Sequence, residues 1–510
     1  MSIKKILLGV TTLTLLARML SLVSNQVFMS FFGPGDVYLN MYSYALNVPN
    51  IMFNFVGTVI AGVVVPIYAG LLVKDEQASR VFMHHILTLV CVISLTLIGL
   101  GMVLAPGIAA WTRFHAHDHP FLIHALRVMM IAMFFYGLNY VFQGILQSHQ
   151  KFLLPAVVTL PTSVVVIGYV VLLGHQFHVG GLVYATVIGL SLQALLLLPA
   201  VAKLGIGFKP RINFANPQVR EAARLSLPVL LSVASFQIST LFNATLATRF
   251  YVVPIMMFVQ SLMLVSILSI IYAMMGVYLP QLTTLWERQD KQGYQTMLTD
   301  VFLMVLGFLI PASVGLLMLA RPIMNLVSGW GNFGAYDVSV AAGMLAFYAL
   351  GVVPIGLKEV LDRGFYAQKN SKIPGMVGVL IMLIHVSLSL VIVNRTYQDT
   401  MPIAFAVSTS VGTLLLVVLM HRQSPMVGRR LLMGFAKYVV AAGVMALSVA
   451  VARELAEDTY VLGSEIISRG IELGVPVLAG VVSYSLMLLV LRAEGVAHVL
   501  PILLRKGRKS

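Results

Sequence analysis

The chain is poor in cysteine and poor in acid, and both shortages narrow what it can be. Its one cysteine is Cys91, so an intramolecular disulfide is excluded, and the apolar run around it makes it a small packing residue. Aspartate and glutamate total 18 residues out of 510, against 33 lysines and arginines. Nearly every acid stands in a loop, a tail or at the edge of an apolar run, as Asp300 does; Glu359 and Asp362 are the exceptions. A proton- or sodium-driven drug exporter ordinarily needs a buried carboxylate for its coupling cation, and the deepest charges here are cationic instead. A Gly-rich phosphate loop in strand–helix context is missing, as is a nucleophile–base set. The chain therefore reads as a non-enzyme with no cofactor; an ion gradient or the membrane potential is left as its energy source.

What the chain has is hydrocarbon. Charged residues make up 10% and hydrophobic ones 59%, with a mean hydropathy of +0.94. A soluble core cannot hide that much apolar surface, so the bilayer must be the solvent. About 20 apolar residues cross roughly 30 Å of hydrocarbon. That rule predicts an all-α integral membrane protein with fourteen spans, over 6–32, 37–72, 80–104, 121–148, 155–174, 180–202, 226–249, 252–284, 298–320, 338–366, 373–393, 401–420, 432–452 and 470–491. The first is too long, and too quickly followed by another, to be a cleaved signal peptide.

Orientation follows from lysine and arginine. With the N-terminus in the cytoplasm, about 23 of them fall in inner segments and about six in outer ones. Both termini are then cytoplasmic. This asymmetry accounts for the net charge of +15, so nucleic acid is not expected as a partner. The basic tail around Arg505, Lys506, Arg508 and Lys509 is expected to rest on anionic headgroups.

The first twelve spans carry repeated punctuation. Val64-Val65-Pro66 closes span 2 and Tyr278-Leu279-Pro280 closes span 8; Leu104-Ala105-Pro106 and Leu319-Ala320-Arg321-Pro322 close spans 3 and 9. Gly144 to Gln147 leads span 4 out to Lys151 and Pro155, as Gly364 to Gln368 leads span 10 out to Lys372 and Pro374. Three matches in order imply a six-helix repeat, its pseudo-two-fold along the membrane normal and a cavity between two lobes that rock for transport. The expected organisation is a six-helix lobe over 1–203, a cytoplasmic amphipathic linker over 204–225 and a second lobe over 226–421. Helices 13 and 14 follow over 422–492, then a basic tail over 493–510. Pro49, Pro161, Pro254, Pro311 and Pro354 mark places where spans are expected to break or kink.

Polar groups at membrane depth are the candidate site, because each is costly unless paired or hydrated. Arg18 stands twelve residues into span 1, about 18 Å by helix rise. It either contacts an anion in a cavity or makes a structural interhelical bond. Arg127 lies nearer a surface, where snorkelling competes with a role in the site. In span 10, Lys358 with Asp362 and Glu359 with Arg363 stand at i,i+4, as a self-paired cluster or a gate. Neutral groups gather in the first two helices of each repeat. Ser24, Asn25, Gln26, Asn40, Asn47, Asn50 and Asn54 belong to spans 1 and 2, and Gln237, Asn243 and Gln260 to spans 7 and 8. They serve a hydrated cavity or ordinary interhelical hydrogen bonds. His115, His117 and His119 alternate in a loop, a spacing that suits a metal only if extended; a solvated loop is expected and no metal site is assigned. A deep cation suits an anionic substrate such as a phosphate or pyrophosphate.

Short motifs along the chain resemble the MurJ/MviN family, the lipid II flippases of the MOP exporter superfamily. They are Ala17-Arg18-Met19-Leu20, Phe32-Gly33-Pro34-Gly35, Val48-Pro49-Asn50, Val65-Pro66, Leu126-Arg127-Val128-Met129, Pro210-Arg211-Ile212-Asn213-Phe214, Phe236-Gln237-Ile238-Ser239 with Asn243, and Gly364 through Gln368 to Lys372 and Pro374. The resemblance implies a flippase in the bacterial cytoplasmic membrane. Such a protein carries undecaprenyl-pyrophosphate-linked disaccharide–pentapeptide to the outer leaflet, alongside membrane lipids and cell-wall synthesis proteins. It implies a headgroup contact for Arg18, a less defined role for Arg127, and a groove for the polyprenyl tail by helices 13 and 14. The chain is a divergent member. Ser24-Asn25 stands where the family carries an Arg-Asp pair, Ile51 to Asn54 where it has an arginine, Gln260-Ser261 in place of another, and Asn243 where an acid is common. The residues alone leave open a flippase for another lipid-linked saccharide, a small-molecule exporter, or a paralogue that no longer transports.

Overall fold

The computed structural model describes residues 3–493 apart from 207–208, 212, 214–215, 396–399 and 458–464; the basic tail and part of the linker motif lie outside the described residues. The described chain is helical, with no strand. In order it runs α1 (Ile3–Phe32), α2 (Val37–Val59), a π-helical turn (Ile60–Val64), α3 (Val65–Lys74), α4 (Glu76–Trp111), α5 (His119–Met130), α6 (Ala132–Ser148), α7 (Leu153–Ala156) and α8 (Leu160–Ala202). It continues with α9 (Pro217–Ala247), α10 (Val253–Glu287), α11 (Lys291–Met318), α12 (Ala320–Ser328), α13 (Ala335–Leu350), α14 (Val352–Ala367), α15 (Lys372–Arg395), α16 (Pro402–Gln423), α17 (Gly428–Glu457) and α18 (Glu465–Val490). Among the described residues, nine helical stretches are long and apolar enough to cross a membrane. Taking α13 with α14, bent by 41° around Gly351, as one span makes ten.

The scarce acids are spent at helix starts. Asp36 accepts the Leu39 N–H at 2.7 Å, Asp75 accepts that of Ala78 at 3.0 Å, and Asp290 that of Gly293 at 2.8 Å. Each satisfies a donor that the first turn leaves orphaned. Two of the prolines expected to break spans do the same work by a different route. Pro161 and Pro254 are second residues of α8 and α10, where a missing N–H costs nothing. Pro49 and Pro311 lie within continuous helices, while Pro354 follows the bend at Gly351 by three residues.

Helix α8 contains two expected spans. Its chain folds back at His178, where φ is 48°. Tyr169 reaches across this hairpin to donate to the His178 carbonyl at 2.5 Å, and a Cβ on Gly181 would strike the same tyrosine. Glycine is required there by close approach, not by flexibility.

Two compact units emerge, Met1–Phe258 with Gly331–Phe333, and Val259–Trp330 with Gly334–Ser510. The division falls inside α10, later than the boundary of the sequence repeat, because α9 and the start of α10 are bonded to α2. Asn40 is fully buried, donates to the carbonyls of Pro34 and Asp36 (both 2.8 Å) and accepts the Val253 N–H at 3.0 Å. The rest of this unit's core joins α3, α4, α6 and α8 through Tyr68, Phe82, Ile145 and Leu197. At its edge the Tyr68 hydroxyl shares a 2.9 Å hydrogen bond with His149, just beyond α6.

In the second unit α11 is central, packed by α13, α14 and α17. Tyr484 of α18 donates to the Gly307 carbonyl of α11 at 2.7 Å. Arg469 of α18 donates to the carbonyls of Asn325 (2.9 Å) and Gly329 (2.5 Å), closing the end of α12, and lies 4.3 Å over the Trp330 ring.

Two outcomes follow. Asn40→Ala should lower stability by about 2 kcal/mol, since it strands buried groups in a dry site; thermal melting in detergent checks this, and an unchanged midpoint would refute it. Burial, and then the charge of Lys151, holds the His149 imidazole below its ordinary pKa of 6.5. The unfolded chain therefore takes up a proton first, so this contribution to stability is complete above about pH 6.5 and declines as pH falls below it. The melting midpoint of wild type should drop more steeply than that of His149→Gln as pH falls from about 7.5 to about 5.

Candidate functional site

The first unit carries a polar stripe on α2. Asn40, Asn47 and Asn54 recur every seven residues, with Tyr44 on the same stripe, so they share one helix face. Two bonds identify what that face meets: Asn40 with Val253, and the Tyr44 and Thr245 hydroxyls at 3.1 Å. These pairs run antiparallel, and α9, which packs along α2, also carries Gln237 and Asn243. Asn243 and Gln237 are buried, as is Asn47, while Asn50 and Asn54 are half-buried. Tyr140 of α6 donates to the Asn54 side-chain oxygen at 3.0 Å, and its ring fills the space where a Cβ on Gly57 would be, 2.6 Å away.

The predicted residues on α1 are less enclosed. Arg18 is exposed, beside exposed Leu16 and Met19; Ser24 is buried and Asn25 half-buried. Gln26 donates to the Ser30 hydroxyl one turn on, at 2.8 Å. Arg127 is exposed on α5 and donates to the Met102 carbonyl of α4 at 3.3 Å. The loop histidines bond locally: the His115 and His117 rings stack 5.6 Å apart, and His119 donates to the Phe114 carbonyl at 3.2 Å.

The second unit holds Gln260 on α10 and the charged quartet on α14. Both i,i+4 pairs form, Lys358 with Asp362 at 2.5 Å and Glu359 with Arg363 at 3.7 Å. Below them the helix is pinned, for Tyr294 of α11 donates to the Gly364 carbonyl at 2.8 Å, and Gln368 donates to the Tyr294 oxygen at 3.1 Å. A separate cavity of about 420 Å³ lies between α10, α11 and α17, with Met297, Val301 and Met304 along it and an Asp300–Arg430 pair (2.6 Å) at its wall. Sequence reading put Asp300 at a span edge without a role, and the hydroxyls of Tyr44, Tyr140 and Thr245 were not singled out. A tyrosine in a hydrophobic run signals only packing; its partner comes from another helix.

A family model described as lipid II flippase MurJ matches residues 10–469. A probable lipid II flippase MurJ from Bdellovibrio bacteriovorus is 30% identical over 383 residues, 73% of this chain and 71% of that protein. The chain belongs to the MurJ lipid II flippase family. The lipid II flippase MurJ of Burkholderia cenocepacia is 24% identical over 440 residues, 82% of this chain and 83% of that one. Among solved structures, a lipid II flippase MurJ in an inward closed conformation matches with a TM-score of 0.75 at 17% identity, covering 96% of this chain and 99% of that one. An inward-facing multidrug resistance MATE transporter of the MOP superfamily matches at 0.66 and 14% identity, over 80% and 94%. These structural likenesses establish the fold.

Within this family member the α2–α9 seam has a measurable strength. A double-mutant cycle on Tyr44→Phe and Thr245→Val should return a coupling of about 0.5–1 kcal/mol in thermal stability; additive effects would show that the 3.1 Å contact does not hold the helices.

Proposed function

We infer that this protein is a lipid II flippase: it moves the undecaprenyl-pyrophosphate-linked peptidoglycan precursor from the inner to the outer leaflet for cell-wall synthesis. The match of the family model from residue 10 to residue 469 carries this reading. The geometry agrees with it chemically. An amphiphile with a diphosphate and a long apolar tail needs a few cations, many neutral hydrogen-bonding groups and a dry flank. Arg18 and the amides of Asn50, Asn54, Gln237, Asn243 and Gln260, with Ser24 and Asn25, are the proposed headgroup contacts. The polyprenyl tail is assigned to the surface of α17 and α18, where Leu432, Leu447, Val451, Leu478 and Val490 are exposed apolar side chains. Transport is proposed to run by alternating access between two lobes, driven by an ion gradient or the membrane potential. Both termini are proposed to be cytoplasmic, a reading supported by the lysine and arginine asymmetry, and cell-wall synthesis proteins are the proposed partners.

Expression in bacteria depleted of their own lipid II flippase tests this directly. Wild type should restore growth and cell shape, and Arg18→Ala at matched membrane level should not. Growth equal to wild type with Arg18→Ala would remove the arginine from the site. Failure of both proteins, each present in the membrane, would shift the function to another lipid-linked saccharide or to a role without transport.

A further inference from the structure

Four charges on one membrane helix are costly, and the two pairs on α14 are unlike each other. Lys358 stands nine residues before the end of α14 at Ala367, about 14 Å along the helix. Its side chain is 21% accessible, whereas that of its partner Asp362 is 8% accessible. The lysine is thus the more accessible member of the pair and the carboxylate the more enclosed one. Asp362 binds Lys358 through Oδ2; its Oδ1 is buried with no hydrogen-bond partner among the described residues. A carboxylate placed only for its own stability would have both oxygens satisfied, because an orphaned charged acceptor in a dry site is expensive. This one is arranged to hold an ammonium. Asp362 takes one of the three ammonium protons, and the other two have no acceptor among the described residues. The helix beneath does not give way, since Gly364 and Gln368 are tied to Tyr294.

We propose that Lys358 binds the diphosphate of the lipid carrier, with Asp362 as a buried positioning counter-charge. The proposal rests on the flippase reading and deepens it. A compact ammonium can meet phosphate oxygens from several directions without a fixed fork geometry, which suits a group that must be taken up and released. Asp362 keeps the ammonium charged and aimed while no substrate is present. It remains behind the ammonium when the diphosphate arrives, so Lys358 contacts substrate and Asp362 acts through it.

The test uses full-length protein in lipid nanodiscs, with lipid II and undecaprenyl diphosphate as separate probes and thermal melting as the control for folding. Lys358→Gln should weaken binding of both probes by about tenfold or more, the usual cost of losing one charge-assisted contact. Lys358→Arg should stay within about threefold of wild type. The decisive variant exchanges the pair, Lys358→Asp with Asp362→Lys. It restores the ion pair but moves the cation to the more enclosed position, so melting should recover while binding stays weak. Recovery of binding in the exchanged pair, or wild-type binding by Lys358→Gln, would overturn the proposal and make the pair structural. If Lys358→Gln does not fold, the exchanged pair and Lys358→Arg decide alone. A loss confined to lipid II would also overturn it, because the diphosphate is common to both probes. Wild-type protein that binds neither probe would strike the flippase reading itself, which a failure of the Lys358 variants alone would not.

Discussion

Hydrocarbon donates and accepts no hydrogen bonds, so each polar group inside a span must find its partner in the protein. Asn40 shows what that constraint demands. One amide side chain closes the turn before α2 through Pro34 and Asp36, and reaches 213 residues along the chain to the first N–H of α10. Arg469 obeys the same rule at the end of α12, where it donates to the Asn325 carbonyl, already shared with the Gly329 N–H, and to the Gly329 carbonyl just beyond the helix. The reason a cation stands there is local: those carbonyls and the Trp330 face both favour one.

Charge is rationed accordingly. Most acids whose contacts are described sit at helix starts or in ion pairs at helix ends, where a full charge meets a helix dipole or water. The bulk of the interior polarity is neutral instead: asparagine, glutamine, serine, threonine and tyrosine. Neutral groups cost less to bury and can change partners between conformations, which a charged pair does only at several kcal/mol. A membrane carrier that must expose a polar face in turn to each side is better served by amides than by salt bridges.

Much of this was legible in the amino-acid sequence, and the boundary follows the range of the interaction. Spans are local runs of hydropathy, and each expected one falls on a helix; even the fold-back inside α8 was visible as a polar gap around His178. The two α14 ion pairs were legible because i and i+4 are neighbours on any helix. Pro161 does mark a break, for span 5 is interrupted between Ala156 and Leu160. Pro254 was misread as one, since hydropathy does not say whether a proline stands at the second position of a helix or in its middle. The asparagines of α2 were recognised as polar groups, yet their common stripe against α9 depends on which helix lies alongside. The same holds for Tyr140 on Asn54 and Tyr44 on Thr245, bonds between helices far apart in sequence. Where α9 packs is a tertiary fact, and it moves the division of the compact units past the end of the sequence repeat.

The proposed chemistry has an internal consistency that the composition alone does not supply. A diphosphate bound by a dense cluster of arginines is held strongly and released slowly. Uptake and release in turn require that no single state hold the substrate too well, because tight binding to one conformation deepens that well and slows the exchange. Neutral amides along α2 and α9 with Arg18 on α1, and separately one ammonium on α14 already half-compensated by Asp362, form a weaker set of contacts for the same anion. On this reading the divergent sequence keeps the task of the family while trading affinity for ease of exchange. The half-satisfied carboxylate of Asp362 is the place where that balance is set, for it lowers the net attraction of Lys358 without removing its charge.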